Sequence, residues 1–408
     1  MLPPILEVYV VWHPDDQGGA QIAEWLLTHF RGAPYSGLVG GAVEVYTRSV
    51  PWQPGSDAPR PLPCQEPLPY QLPHARITAI VPVLGVRLAR TVKQDSSDWC
   101  RYLNSIDAAK EPEQDVVGIF PVRLPDTPAN NSFGGIGKRQ ALHAASSEQP
   151  EVLCRELSQA VAQLVGDPFG ERLKIFISHT KRHRVEEEQD HIDELVDRVR
   201  AAISGTHLQG YFDTADLQPG EDWEQELKSQ AASSALLAVR TDLYASREWC
   251  QRELLVAKRA DMPIVTLNGV QQKEERGSFL LDHVPSVVYR QIDEELRQPS
   301  IEEALNLLVD AALARALWGL QKDTLAELGV ACDWAPSNAP EPVTVLPWLL
   351  KNRERSVDEG PFLIMHPDPP LGLEEAKALR ELFEVAGIHD AVDIVTPQTY
   401  KSRTTTGF

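Results

Sequence analysis

Four things are scarce in this sequence, and each scarcity closes a class of explanation. No apolar run approaches the ~18 residues that a helix needs to cross a bilayer, so no membrane span is expected. The opening residues, MLPPILEVYVVWHPDD, have neither the basic start nor the small-residue cleavage site of a secretory signal. Cysteine is sparse: Cys64, Cys100, Cys154, Cys250 and Cys332 are scattered, odd in number and without a CxxC pair. That pattern suits neither a disulfide framework nor a zinc site, and it points to a reducing, cytoplasmic setting. Basic charge is also short. A formal net charge of −20 disfavours direct contact with nucleic-acid phosphates.

What is present is ordinary globular protein in more than one piece. The 408 residues, 42% hydrophobic and 24% charged, exceed what one compact domain needs. Punctuation divides them into units of about 1–166, 172–320 and 340–408.

The first unit opens with a short apolar strand, LEVYVVW (6–12), then a helical spacing at Ile22, Trp25, Leu26 and Phe30. A second strand is expected at 43–47, followed by a proline-dense stretch from Val50 to His74 that cannot hold a regular helix. Strands at 77–84 and 116–122, a helix around Trp99 to Ser105 and another from Glu151 to Val165 complete this unit.

The second unit starts with LKIFIS (173–178), a continuous apolar run of the kind a parallel sheet buries on both faces. Helices are expected at Glu188 to Ile203, Trp223 to Ser233, Glu248 to Lys258 and Ile301 to Trp318. Strands are expected at 210–213, 235–240, 263–267 and 286–290. Strands alternating with helices at this spacing imply right-handed βαβ crossovers and a doubly wound, flavodoxin-like parallel sheet.

The sequence also echoes itself. AIVPVLGVRLARTVKQDSSDWCRYL in the first unit and ALLAVRTDLYASREWCQREL in the second each run strand, polar loop, acidic-Trp-Cys, helix. After a proline-rich break at 335–342, PFLIMHPD (361–368) resembles VVWHPDD (10–16), with a helix at Leu373 to Ala386 and a strand at 391–395 to follow. This makes the third piece a partial α/β unit that stops half a domain short. The whole is therefore read as tandem doubly wound parallel sheets with a partial third.

Three separated segments of the second unit resemble the Toll/interleukin-1 receptor (TIR) family in order and spacing. They are FISHTK (176–181), FDTADLQPGEDW (212–223), which is similar to that family's BB loop, and SREWCQRE (246–253). The resemblance implies a TIR fold of the bacterial NAD-cleaving immune type, with flanking units that look like degenerate TIR-like modules. It puts the catalytic carboxylate at Glu253. It places Ser178, His179, Thr180 and Lys181 along the nucleotide pocket, with Tyr211, Asp213 and Trp249 beside them. NAD+ would be the substrate rather than a resident cofactor, and no metal is required.

The chemistry suits that assignment. Trp249 and Glu253 stand at i and i+4, hence on one face of a helix above the carboxyl edge of the sheet, where open α/β sheets bind ligands. Cleaving NAD+ expels neutral nicotinamide from a ribose that develops oxocarbenium character. The leaving group already carries positive charge, so one carboxylate that stabilises the ribosyl cation is enough.

Blander readings stand beside these. Glu253 can be a solvated glutamate near a helix start, and Trp249 can be core packing. Lys181 can belong to a solvated basic loop, and Cys250 can be a buried, inert thiol. In the first unit, aligning Trp99-Cys100 on Trp249-Cys250 puts Leu103 where Glu253 stands, and leucine stabilises no cation. Residues 1–166 therefore read as a sensor, scaffold or docking surface for an activating partner.

Two functions remain open. One is an NAD+ glycohydrolase or ADP-ribosyl cyclase of antiphage defence, activated by self-association or a partner. The other is a non-catalytic TIR adaptor.

Overall fold

The computed structural model describes residues 4–36, 43–63, 75–94, 96–108, 116–128, 133–143, 150–166, 173–180, 189–206, 208–212, 233–274, 276–352, 361–388 and 392–405. The chain divides into two compact units, 1–170 with 316–323, and 171–315 with 324–408. The helix expected at Trp223 to Ser233 lies almost wholly outside the described residues.

The first unit holds strands β1 (Leu6–Val11), β2 (Val43–Arg48), β3 (Ile77–Leu84), β4 (Val116–Ile119), β5 (Val122–Arg123) and β6 (Leu142–His143). They form a parallel sheet in the order β2-β1-β3-β5-β6, with β4 also pairing β3. The expected strand at 116–122 is thus split in two around Phe120 and Pro121. The Phe120 N–H still donates to the Ile80 carbonyl at 2.8 Å, but Pro121 has no N–H to give, so the ladder is interrupted there. β3, ITAIVPVL, is buried along its whole length, as a central parallel strand must be.

On one side of this sheet lie the helices Val86–Val92 and Asp98–Ala108, whose Leu88, Trp99 and Leu103 join Tyr9, Val11 and Ile80 in one core. The first of these helices falls in RLARTVKQ, which reads as a polar loop. Its start is secured from far along the chain, because the buried Asp16 carboxylate accepts the Arg87 and Leu88 N–H groups, each at 2.9 Å.

The second unit carries β7 (Lys174–Ser178), β8 (Gln209–Phe212), β9 (Ala235–Arg240), β10 (Ile264–Asn268) and β11 (Ser286–Val288). Their order is β8-β7-β9-β10-β11, all parallel. Counted within this sheet the order is 2-1-3-4-5, the flavodoxin-like arrangement. Period-two alternation sends its side chains to two cores. Ile175, Ile177, Leu237, Val239, Val265 and Leu267 pack against Leu195, Val199, Leu305 and Leu308, which belong to helices Gln189–Ser204 and Glu294–Glu327. Phe176, Leu236, Ala238 and Ile264 pack on the opposite face against Cys250, Leu254 and Ala257 of the helix Glu248–Arg259. Helices on both faces make the sheet doubly wound.

The helix expected at Ile301 to Trp318 is longer at both ends, running Glu294–Glu327 with Pro299 inside it. Asp293 accepts the Glu295 N–H at 3.1 Å and so starts the helix ahead of the proline. The Ser300 hydroxyl donates to the Leu296 carbonyl at 2.7 Å, one turn back along the helix.

The last segment of this unit holds the helix Pro342–Asn352 and strands β12 (Phe362–Met365) and β13 (Val392–Val395), parallel and joined through the helix Leu373–Val385. A final helix, Pro397–Thr405, follows. Val345, Leu349, Ile364, Leu379 and Phe383 form its core.

Candidate functional site

In a 2-1-3-4-5 sheet the chain reverses its direction of progress between the first and third strands, and the loops leaving those strands diverge to open a crevice at their carboxyl ends. Here those strands are β7 and β9. Ser178 is the last residue of β7, Thr180 lies two beyond it, and Thr241 follows β9. All three are buried, and the Thr180 and Thr241 hydroxyls lie 3.4 Å apart. A short 3-10 turn at Tyr244–Ser246 then leads into the helix Glu248–Arg259.

That path places Glu253, one turn into the helix and only 6% exposed, against the end of β7. The Ser178 hydroxyl donates to Glu253 Oε2. Ser178 Oγ also lies 2.7 Å from the Tyr244 hydroxyl. Because the Ser178 proton is committed to the carboxylate, the Tyr244 O–H donates to Ser178 Oγ. The result is a directed chain, Tyr244 to Ser178 to Glu253, whose members polarise one another in a buried setting.

The surrounding groups stay neutral. Burial pushes the Tyr244 phenol well up, and the nearby Cys250 and Glu253 add to the effect. Burial also pushes the Cys250 thiol up, with the Glu253 carboxylate as the second cause. A thiol held protonated is not a nucleophile. Glu253 is thus the acidic side chain that this cluster holds.

Trp249 lies in the first turn of the same helix, four residues before Glu253, and is 38% exposed. The Arg252 guanidinium sits 4.7 Å from its ring centroid and pairs with Glu248 at 2.6 Å. The indole is therefore at the surface, with the Arg252 guanidinium over its ring. The His179 Nδ1–H donates to the Thr180 carbonyl at 3.1 Å, which turns the loop after β7. Tyr211 is a β8 residue paired with Ile175. Lys181 and Asp213 lie outside the described residues. The structure thus joins Ser178, Thr180 and Glu253 at one sheet edge with Trp249 on the same helix.

Two residues of this cluster escape sequence reasoning: Tyr244 and Thr241. The signal for Tyr244 was a lone aromatic in the polar loop TDLYASREW, with nothing local to show that its hydroxyl reaches β7. Among the described residues no group of three or more His, Cys, Asp or Glu is placed to hold a metal ion, and no helix is long and apolar enough to cross a membrane.

The first unit holds a different constellation at the corresponding place. Trp99 is fully buried, its ring 5.5 Å from His13, and Leu103 is 2% exposed within the core. The position that carries Glu253 in one unit is hydrophobic packing in the other.

A search among curated proteins finds no match to this chain. Residues 175–298 do match a family model, that of the TIR domain, and they span the sheet, the β7/β9 switch point and the Glu248–Arg259 helix described above. The second unit of this protein is built on a TIR domain.

Proposed function

We propose that this TIR domain cleaves the nicotinamide–ribose bond of NAD+, with Glu253 as the catalytic carboxylate. The observation that carries the reading is the placement of a buried, hydroxyl-oriented carboxylate at the β7/β9 switch point of a TIR fold. Ser178 fixes the direction of the carboxylate, and Tyr244 fixes Ser178. A preorganised negative charge of this kind stabilises positive charge developing on the ribose without reorganising at the moment of reaction. Thr180 and Thr241 bring buried hydroxyls to the same sheet edge, and Trp249 a flat surface for a base. Lys181, Tyr211, Asp213 and His179 complete the proposed nucleotide contacts. Water as the nucleophile gives ADP-ribose, and an internal nucleophile gives a cyclic product, both through the same ribosyl cation. We place this activity in antiphage defence in the cytoplasm, switched on by self-association or by a partner that docks on residues 1–166.

The test is nicotinamide release by the purified full chain and by Glu253→Gln, at high protein concentration with a crowding agent. Release by the parent and none by the variant supports the assignment. Equal release by both overturns it.

The adaptor reading has one observation in its favour. Glu253 is 6% exposed and already hydrogen-bonded, as a purely structural carboxylate would be. It requires that neither protein release nicotinamide even when assembly is demonstrated by light scattering.

A further inference from the structure

A second concave site lies at the opposite, amino-terminal edge of the same sheet. It is a cavity of about 260 Å3 where the loops entering β10 and β11 meet residues 334–351. Its walls include Trp334 and Trp348, half-buried indoles stacked with ring centroids 5.7 Å apart and 15° between their planes.

Its charges divide into those already satisfied and those that are not. The buried Lys258 ammonium binds Glu341 at 2.6 and 2.8 Å and the Asp282 carbonyl at 2.9 Å, so it is neutralised where it stands. The Asp261 carboxylate accepts the Ser337 N–H at 2.9 Å. Arg259 and Lys351, by contrast, are exposed lining residues with no ion-pair partner among the described residues. The cavity thus combines aromatic walls with two uncommitted cations, on a chain whose net charge is −20.

Each indole turns one face to the other, so a planar ring meets the outer side of the pair, and Arg with Lys accepts phosphate oxygens. A volume of about 260 Å3 falls just below the range of sites for drug-sized ligands, so the occupant is small. We propose that this cavity is a binding site for a nucleoside monophosphate, its base against the indoles and its phosphate between Arg259 and Lys351. Nothing in this proposal depends on the reaction assigned to Glu253.

The experiment is calorimetric titration of the full chain with adenosine monophosphate, adenosine and inorganic phosphate. Adenosine monophosphate should bind, and each fragment should bind at least ~10-fold more weakly, because each lacks one of the two contacts. Trp348→Ala should abolish binding, and Lys351→Glu should weaken it by ~10-fold or more. Lys351 is exposed, so that variant keeps the fold and guards against a Trp348→Ala chain that fails to fold. Glu253→Gln should leave the affinity unchanged, which separates this site from the crevice at the other edge. Absence of heat at millimolar nucleotide overturns the proposal. Affinity unchanged by Lys351→Glu, or lost in Glu253→Gln, overturns it by placing the nucleotide elsewhere. Inorganic phosphate binding as well as the nucleotide overturns the role of the indoles.

Discussion

The Tyr244–Ser178–Glu253 chain yields a prediction in which stability and activity follow different orders. Ser178→Ala deletes a hydroxyl that donates to a buried carboxylate and also accepts from a buried phenol. A hydrogen bond to a charged group is worth about 1.5–3 kcal/mol, and the orphaned phenol adds to the loss. Tyr244→Phe removes only the outer bond, costing about 1 kcal/mol. Glu253→Gln keeps the volume and an acceptor for Ser178 while removing a charge that burial disfavours. Its stability should therefore lie within about 1 kcal/mol of the parent or above it. Activity follows another order. Loss of a preorganised charge that faces the transition state costs roughly 10²–10³-fold in rate, so Glu253→Gln is the most damaging of the three. Ser178→Ala misdirects the carboxylate without removing it and should cost about 10-fold. The assays are urea unfolding followed by circular dichroism and nicotinamide release followed by chromatography, on the same preparations. If Glu253→Gln is destabilised as much as Ser178→Ala, and no activity separates them, the carboxylate is a structural group and the reasoning fails.

Other expectations follow from single contacts. Lys258→Met leaves the Glu341 carboxylate, 13% exposed, with His283 at 3.9 Å in place of a close ammonium and should cost about 3–5 kcal/mol. Adding Glu341→Gln should recover most of that loss in urea unfolding. Leu103→Ala opens a cavity in the first unit's core and should cost about 2–5 kcal/mol by the same measurement. Leu103→Glu, placed in a Glu253→Gln background, should release no nicotinamide, because the glutamate would enter packed side chains rather than a crevice. Burial holds His366 below the ordinary histidine value, so the unfolded chain binds its proton more readily than the folded one. Its contribution is present above about pH 6.5 and is lost as pH falls through the lower folded value. His366→Asn should flatten the decline in unfolding midpoint between pH 7.5 and 5.5.

Much of the fold was legible because periodicity is a local property. LKIFIS reads as a doubly buried strand from six letters, and β7 (Lys174–Ser178) begins one residue later. Glu188 to Ile203 became Gln189–Ser204 because Leu195, Val196 and Val199 mark one helical face whatever surrounds them. The errors fall where an element depends on something distant. The helix Val86–Val92, in a stretch that reads as a polar loop, is secured by Asp16. That dependence leaves no mark in the local pattern.

The candidate site divides along the same line. Trp249 and Glu253 are visible from their spacing alone, since a helix enforces the i to i+4 relation. What orients Glu253 is not visible, because Ser178 reaches it from the end of β7 and Tyr244 from the loop after β9. The first unit makes the consequence concrete. It retains the Trp-Cys step and a helix after it, yet Leu103 stands at the glutamate position and is packed to 2% exposure. A spacing motif therefore specifies which helix face meets the sheet edge. Whether that meeting point is a charged crevice or an oily core depends on the residue at one position and on the hydroxyls that two other segments bring to it.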